Sequence, residues 1–487
     1  MAKNKNKKLL WLTGAFFMLA GGIVCFLFFQ THFRYHFFFI GQNQLFIPDV
    51  VSLSTYFRQP AWLACMVGDW AQQFYCYDYG GPAVLTVSLL MFGLLIASAL
   101  HRALEKAGAA ISGWVALAAA VAVTAVEARL FLYENSTLAT LYAFGGGLFF
   151  WLAFRRLTAV IVCKPVLAHI FYSLMCAFSA FLCWWCFGYG ALAFLILEFL
   201  FSIISRRVPS GAIMTVLIAL CTGGMLCGHY RMEAAKVLLY PGLGKWVDAG
   251  KAHGVETLLT YDIEYARGNY RDIINLYEHS SNAKIPEMSF YYSASAAHLG
   301  ILPDKLLNMK KPFLGTFIHL DSRSNLFTIA MAGELYYLIG DMTYAERAFM
   351  HANNFSPTKR CARYIKRLAE TGLISGDYDA AEKYLTLLRK SFIYRKWAED
   401  HTPGRFSDEV RREIEYKRAF QNKVHEVRVG DNCHTILCGL LDSNKGNMVA
   451  LDYLLCTDII ANQKGMFLRD YEKYGPRDAA LYKKIVK

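Results

Sequence analysis

Long apolar runs separated by short charged junctions fill the first 230 residues, and beyond them apolar side chains recur at helical spacing among charged ones. The hydrocarbon core of a bilayer takes ~20 residues of helix to cross. Seven segments approach or reach that length: Leu9–Phe29, Pro82–Leu100, Ser112–Leu132, Thr137–Phe154, Val166–Phe187, Tyr189–Ile204 and Gly211–Gly228. The sixth is the shortest. Met1 to Lys8 followed by Leu9–Phe29 has the look of a secretory leader. Its apolar run exceeds the ~7–15 residues of a leader core and no small-residue cleavage pattern follows, so a retained first helix is expected.

Between the first two runs, Thr31 to Gly81 is too polar to cross a membrane and too apolar for an ordinary loop. Gln42, Gln44, Asp49, Asp69, Gln72, Gln73 and Asp78 sit there among Phe, Tyr and Trp. That mixture suits short helices in the membrane interface, where amphipathic rings bridge wet and dry layers.

After Gly228 the pattern changes to amphipathic helices punctuated by Gly268, Gly300, Gly340 and Gly376, at separations of 32, 40 and 36 residues. These scatter around the ~34 residues of a tetratricopeptide repeat. The clearest copy runs from Gly333 to Pro357: Gly333 and Tyr336 on a first helix, Gly340-Asp341 at the turn, Ala345, Phe349 and Ala352 on a second, Pro357 at the end. Gly376-Asp377-Tyr378 with Ala380, Ala381, Tyr384 and Leu388 gives another, and Gly268-Asn269-Tyr270 with Ile273 and Tyr277 a degenerate one. On these residues the second half resembles the tetratricopeptide family, which implies stacked helical pairs from about Tyr261 to Lys487. The expected fold is all-α: a polytopic membrane helix bundle of about seven spans (1–230, including the outer loop 31–81), then an extracytoplasmic TPR-like α-solenoid (231–487).

Composition agrees: 55% apolar over 487 residues exceeds the roughly 45–50% of soluble chains. The formal charge of +13 does not point to nucleic acid, because no basic stripe or nucleic-acid motif accompanies it. Its cations cluster at alternate helix junctions: Lys3, Lys5, Lys7 and Lys8; Arg102 and Lys106; Arg155, Arg156 and Lys164; Arg206 and Arg207. The positive-inside rule places these junctions, and the amino terminus, in the cytoplasm. An odd number of crossings then puts the long loop and the carboxyl half outside, in a bacterial envelope the periplasm.

Glu127 and Arg129 end the third run, close enough to the interface to extend toward water, whereas Glu198 lies deep in the sixth. An ionisable group at that depth is expensive and faces protein, water or a partner. The Cys183-Trp-Trp-Cys186 spacing is that of a redox pair, yet it ends an apolar helix without strand-to-helix context, so packing thiols are expected. Cys433, His434 and Cys438 match no zinc spacing and lack a fourth ligand, so neither a metal nor a cofactor is expected. Outside the cytoplasm a disulfide among Cys361, Cys433, Cys438 and Cys456 stays open.

Gln44-Leu45-Phe46, Asp49, Tyr56, Pro60, Gln73-Phe74 and Gly80-Gly81 resemble the first loop of an uncharacterised family of bacterial inner-membrane proteins with a TPR-like tail. That resemblance spans nearly the whole chain and implies architecture without chemistry. The layout is also similar to membrane glycosyltransferases of the GT-C type, with a first helix, a long outer loop carrying a catalytic carboxylate, further spans and an outer domain. This implies Asp49 as a general base toward an acceptor hydroxyl, assisted by Asp69 or Asp78, with a polyprenyl-phosphate-linked sugar as donor. The loop has no adjacent acidic pair, and seven spans are fewer than most such enzymes possess. Two functions lead: a scaffold in cell-envelope biogenesis, anchored in the bilayer and binding an envelope protein on its TPR-like face, or a transferase acting on a lipid-linked sugar; transport, to which Glu198 alone points, is a third. Asp49 after Pro48 also reads as a helix cap.

Overall fold

The computed structural model describes residues 2–104, 109–159, 165–205, 209–280, 285–316, 318, 320–321, 324–421, 432–475 and 477–487, and among these it is helical with no strand. The chain divides into two compact units: Met1–Gly41 with Pro48–Glu256, and Gln42–Ile47 with Thr257–Lys487.

The first unit carries α1 (Ala2–His32), α2 (Arg34–Gln42), α3 (Val50–Tyr56), α4 (Trp62–Gln72), α5 (Gly80–Leu104), α6 (Ala109–Leu130), α7 (Leu138–Thr158), α8 (Pro165–Phe187), α9 (Gly190–Ile204), α10 (Ser210–Tyr230), α11 (Ala234–Leu238) and the start of α12 (Ala249–Ala266). Five stretches are long and apolar enough to cross a membrane: Thr13–His32, Gly80–Leu104, Gly113–Leu130, Leu138–Thr158 and His169–Phe187. A sixth forms if Ser210–Ala219 and Gly223–Tyr230, bent by 49°, act as one span. The 15 residues of α9 extend only ~22 Å, short of the ~30 Å hydrocarbon core. The expected seven spans are thus reached only if the bent pair and α9 both cross. Lys106, Lys164, Arg206 and Arg207, on which the expected sidedness partly rests, lie outside the described residues.

Large apolar side chains stand exposed on these helices, among them Phe16, Leu19 and Val24 on α1, Met91 on α5 and Phe178 on α8. In water such a surface would aggregate; in lipid it needs no cover. Facing inward, Phe29, Phe37, Tyr75, Phe92, Trp151, Phe154 and Phe194 form the core. Glycine brings α7 and α9 together: a Cβ on Gly147 would fall 1.9 Å from the Gly190 carbonyl oxygen, and one on Gly146 would meet the Phe187 ring. Close backbone approach of this kind is the usual adhesive between helices in lipid. At the start of α2 the buried Glu256 carboxylate accepts the backbone N–H groups of Tyr35 at 2.7 Å and His36 at 3.0 Å and meets the His36 ring, filling donors a helix start leaves open.

The second unit holds the rest of α12, then α13 (Tyr270–His279), α14 (Pro286–His298), α15 (Leu302–Lys305), α16 (Leu326–Ile339), α17 (Met342–Phe355), α18 (Ala362–Ser375), α19 (Tyr378–Arg389), α20 (Arg395–Asp400), α21 (Asp408–Arg418), α22 (Cys433–Ser443), α23 (Met448–Ile460), α24 (Lys464–Tyr474) and α25 (Ala480–Val486). Gly268, Gly300, Gly340 and Gly376 all take positive φ, from 70° to 98°, the left-handed conformation that ends a helix and that a Cβ disfavours. After two of them an aspartate opens the next helix. Asp341 accepts the Tyr344 N–H at 3.3 Å and Asp377 that of Ala380 at 3.0 Å, so Gly-Asp closes one helix and caps the following one. Phe349 is fully buried, its ring against Gly333 of α16 and stacked near Tyr364 of α18. Asn43 and Gln44 are buried in this unit, Leu45 and Ile47 join its core, and Thr358 Oγ1 donates to the Asn43 carbonyl at 2.6 Å. The stretch Thr31–Gly81 is therefore not one interfacial segment: six residues inside it belong to the second unit.

Candidate functional site

The three carboxylates of the first loop have different settings. Asp49 caps α3: its Oδ1 accepts the Ser52 N–H at 2.7 Å, and its extended backbone is that of an N-cap. Asp69, half-buried on α4, accepts the Tyr56 hydroxyl at 2.6 Å. Burial pushes its carboxyl up to about 6, against the pull of the Tyr56 bond. The buried Cys65 lies one turn earlier, its thiol pushed up to about 12 by burial and by the Asp69 charge. Tyr240 donates to Gln59 at 2.7 Å and is raised by burial and then by the Cys65 and Asp69 charges. Asp78 is exposed. Asp69 thus sits in a phenol-lined corner while Asp49 is engaged with its own helix.

Glu198, on α9, is 1% exposed. Its carboxylate accepts Trp151 Nε1 at 3.1 Å from α7, the Tyr172 hydroxyl from α8 and the Ser202 hydroxyl at 3.4 Å, and Arg155 Nη1 stands 3.6 Å away. The Arg155 guanidinium also lies 3.7 Å above the Phe201 ring. All of its donors come from three packed helices, which makes this a tie between them. Cys183 and Cys186 are both free and buried, as packing thiols would be. Cys361, Cys433, Cys438 and Cys456 are likewise free, so no disulfide links them.

The most developed polar constellation is in the second unit and was not anticipated. Arg363 and Arg367, one turn apart on α18, point to the same side. Arg363 pairs with Asp262 of α12 at 2.7 Å and with Glu334 of α16 at 3.3 Å. Arg367 pairs with Glu334 at 2.9 Å and Glu370 at 2.7 Å, while the Tyr291 hydroxyl of α14 donates to Asp262 at 2.6 Å. Beside this lattice stand two ammonium groups over aromatic faces. Lys417 Nζ is 4.2 Å from the centre of the Tyr337 ring, which Arg367 covers at 4.4 Å, and Lys366 Nζ is 4.6 Å from that of Trp397. Burial, then the neighbouring Arg367 charge, brings Lys417 down to about 8. His298, stacked on Tyr270 with centroids 4.1 Å apart, is brought down to about 3 by burial and by Lys417 and Arg367. It is neutral at physiological pH.

Fixed guanidinium and ammonium groups beside aromatic walls can recognise an anionic or planar group held against them. Periodicity alone treats such charges as a solvated helix face. The available signal was the spacing: Arg363, Arg367 and Glu370 fall at i, i+4 and i+7, on one side of α18.

These features define an all-α, multi-pass membrane protein that carries a second, helical-hairpin unit. The chain belongs to a family of unknown function, DUF6057, which it matches over residues 7–485. No curated protein and no solved structure matches it.

Proposed function

We propose that this protein is a scaffold of the bacterial cell envelope: a multi-pass anchor in the cytoplasmic membrane, amino terminus inside, holding a TPR-like solenoid in the periplasm, where it binds an envelope protein. The observation that carries this reading is a row of half-buried cations, Arg363 and Arg367 fixed by the buried Asp262 and Glu334, with Lys366 and Lys417 held over aromatic rings beside them. Stacked helical pairs provide extended recognition surfaces, and this row is built to hold charge in fixed positions. A photo-reactive residue placed at Lys366 or Lys417 of the full chain in living cells is expected to give the same covalent adduct, lost in Arg367→Glu. Failure to form a reproducible adduct at either position contradicts the proposal.

A second reading is a GT-C-like transferase using a polyprenyl-phosphate-linked donor. Asp69 favours it, since a carboxyl raised to about 6 beside a phenol suits a general base better than the capping Asp49 does. Asp78 then serves at most in assistance. Asp69→Asn should abolish product formation from a lipid-linked sugar while leaving the protein in the membrane; full turnover in that variant removes Asp69 from the reaction.

A further inference from the structure

Where α22, α23 and α24 pack together, donors suited to a transition metal converge. His434 and Cys438 lie one turn apart on α22, with the Cys438 sulfur 3.7 Å from Nδ1 of His434. Asp470 of α24, only 2% exposed, places an oxygen 2.8 Å from Nε2 of the same ring. One donor atom from each residue lies within 4.8 Å of the other two. Some point therefore lies within ~2.8 Å of all three, about half an ångström outside the ~2.0–2.3 Å of zinc–ligand bonds. An ion takes one nitrogen of the ring, whereas the thiol now faces Nδ1 and the carboxylate Nε2, so the ring or one of the other two side chains turns when the ion binds.

An independent observation lies on α23. Asp458 is 2% exposed, and its Oδ2 is buried with no hydrogen-bond partner among the described residues. Burial, then the Asp470 charge, pushes its carboxyl up to about 6. Asp458 and Asp470 are thus two buried carboxylates on neighbouring helices, and the exposed Arg469 sets its Nε 3.1 Å from Asp470. A buried carboxylate without a partner is costly, and a divalent ion would supply the missing charge.

We propose that His434, Cys438 and Asp470 form a site for a divalent transition metal, with zinc the ion this donor set suits best. An imidazole, a thiolate and a carboxylate are together too soft for magnesium or calcium, which take oxygen ligands. Cys438 ligates as the thiolate, so each ion bound releases its proton to solvent. Three protein ligands leave a fourth position for water. Sequence spacing misses this arrangement because Asp470 follows Cys438 by 32 residues and reaches it through packing.

The test uses the full chain in detergent, stripped with a chelator and titrated with Co2+. One equivalent is expected to bind with a thiolate-to-cobalt charge-transfer band in the near ultraviolet, displaced by Zn2+. Cys438→Ser should lose that band, and His434→Ala and Asp470→Asn should weaken binding at least about tenfold. Cys433→Ser, at the neighbouring thiol, should retain both. Helix content of each metal-free variant by circular dichroism separates loss of the site from loss of fold. Absence of stoichiometric Co2+ binding to the unaltered chain, or a charge-transfer band that persists in Cys438→Ser, overturns the proposal.

Discussion

Each unit buries one glutamate to 1% exposure, and the two are held in opposite ways. Glu198, in the membrane block, takes direct hydrogen bonds from an indole and two hydroxyls, with Arg155 farther off at 3.6 Å. Glu334, in the second unit, is gripped by Arg363 and Arg367 at 3.3 and 2.9 Å. Neutral donors make the direct bonds to Glu198, and the mostly buried Arg155 supplies the opposite charge at 3.6 Å. Full ion pairs suit a unit whose Arg367 and Glu370 still reach water. The difference separates a tie that holds helices together from a charged lattice that can also meet a ligand.

The largest expected effect comes from breaking the lattice. Glu334→Ala leaves two guanidinium groups facing one another without their shared partner, and should destabilise the second unit by about 3–5 kcal/mol. Hydrogen exchange of the α18 amides checks it; unchanged protection would mean that Asp262 and Glu370 suffice to hold the two arginines. Trp151→Phe removes one donor from Glu198 and keeps the ring, so the membrane block should lose about 1–3 kcal/mol. Detergent-resistance midpoints measure that loss, and a neutral result would make Arg155 the main partner of Glu198.

Outside the spans, Asp69 offers a pH test. Its folded value, about 6, lies above the ordinary 3.8, so the fold favours the protonated acid. The associated stability is fully present below about 3.8 and is lost as pH rises through about 6. Hydrogen exchange of the α4 amides, corrected for its intrinsic pH dependence, should accordingly be slower at pH 5 than at pH 8, and Asp69→Asn should remove the residual difference. The smallest effect is at Asp49, where Ala deletes a cap worth about 1 kcal/mol. Amides of Val50–Tyr56 should then exchange faster and nothing else should change.

Sequence reasoning succeeded where a local rule forces a residue. Gly268, Gly300, Gly340 and Gly376 mark helix ends because a left-handed turn selects glycine, and Asp49 after Pro48 reads as a cap because the cap lies within its own turn. Phe349 was legible as a residue of the second helix of the clearest copy, whereas its packing against Gly333 of the first helix shows only in the structure. Long-range pairing was not legible. Nothing near Asn43 announces Thr358, 315 positions away, so the transfer of residues 42–47 to the second unit could not be read locally. The lattice around Glu334 draws on four helices, and each charge taken alone looks like surface. Span counting failed to settle at α9, since an apolar segment of 15 residues satisfies composition but falls short in length.

That short helix and the bent Ser210–Tyr230 pair decide the proposed sidedness, because one crossing more or fewer moves the second unit across the membrane. A single thiol introduced as Lys487→Cys, in a chain whose other reachable thiols are replaced, can be probed in intact spheroplasts with a reagent that does not cross lipid. Labelling before lysis is the predicted result, and labelling only after lysis would place the second unit in the cytoplasm and contradict the account.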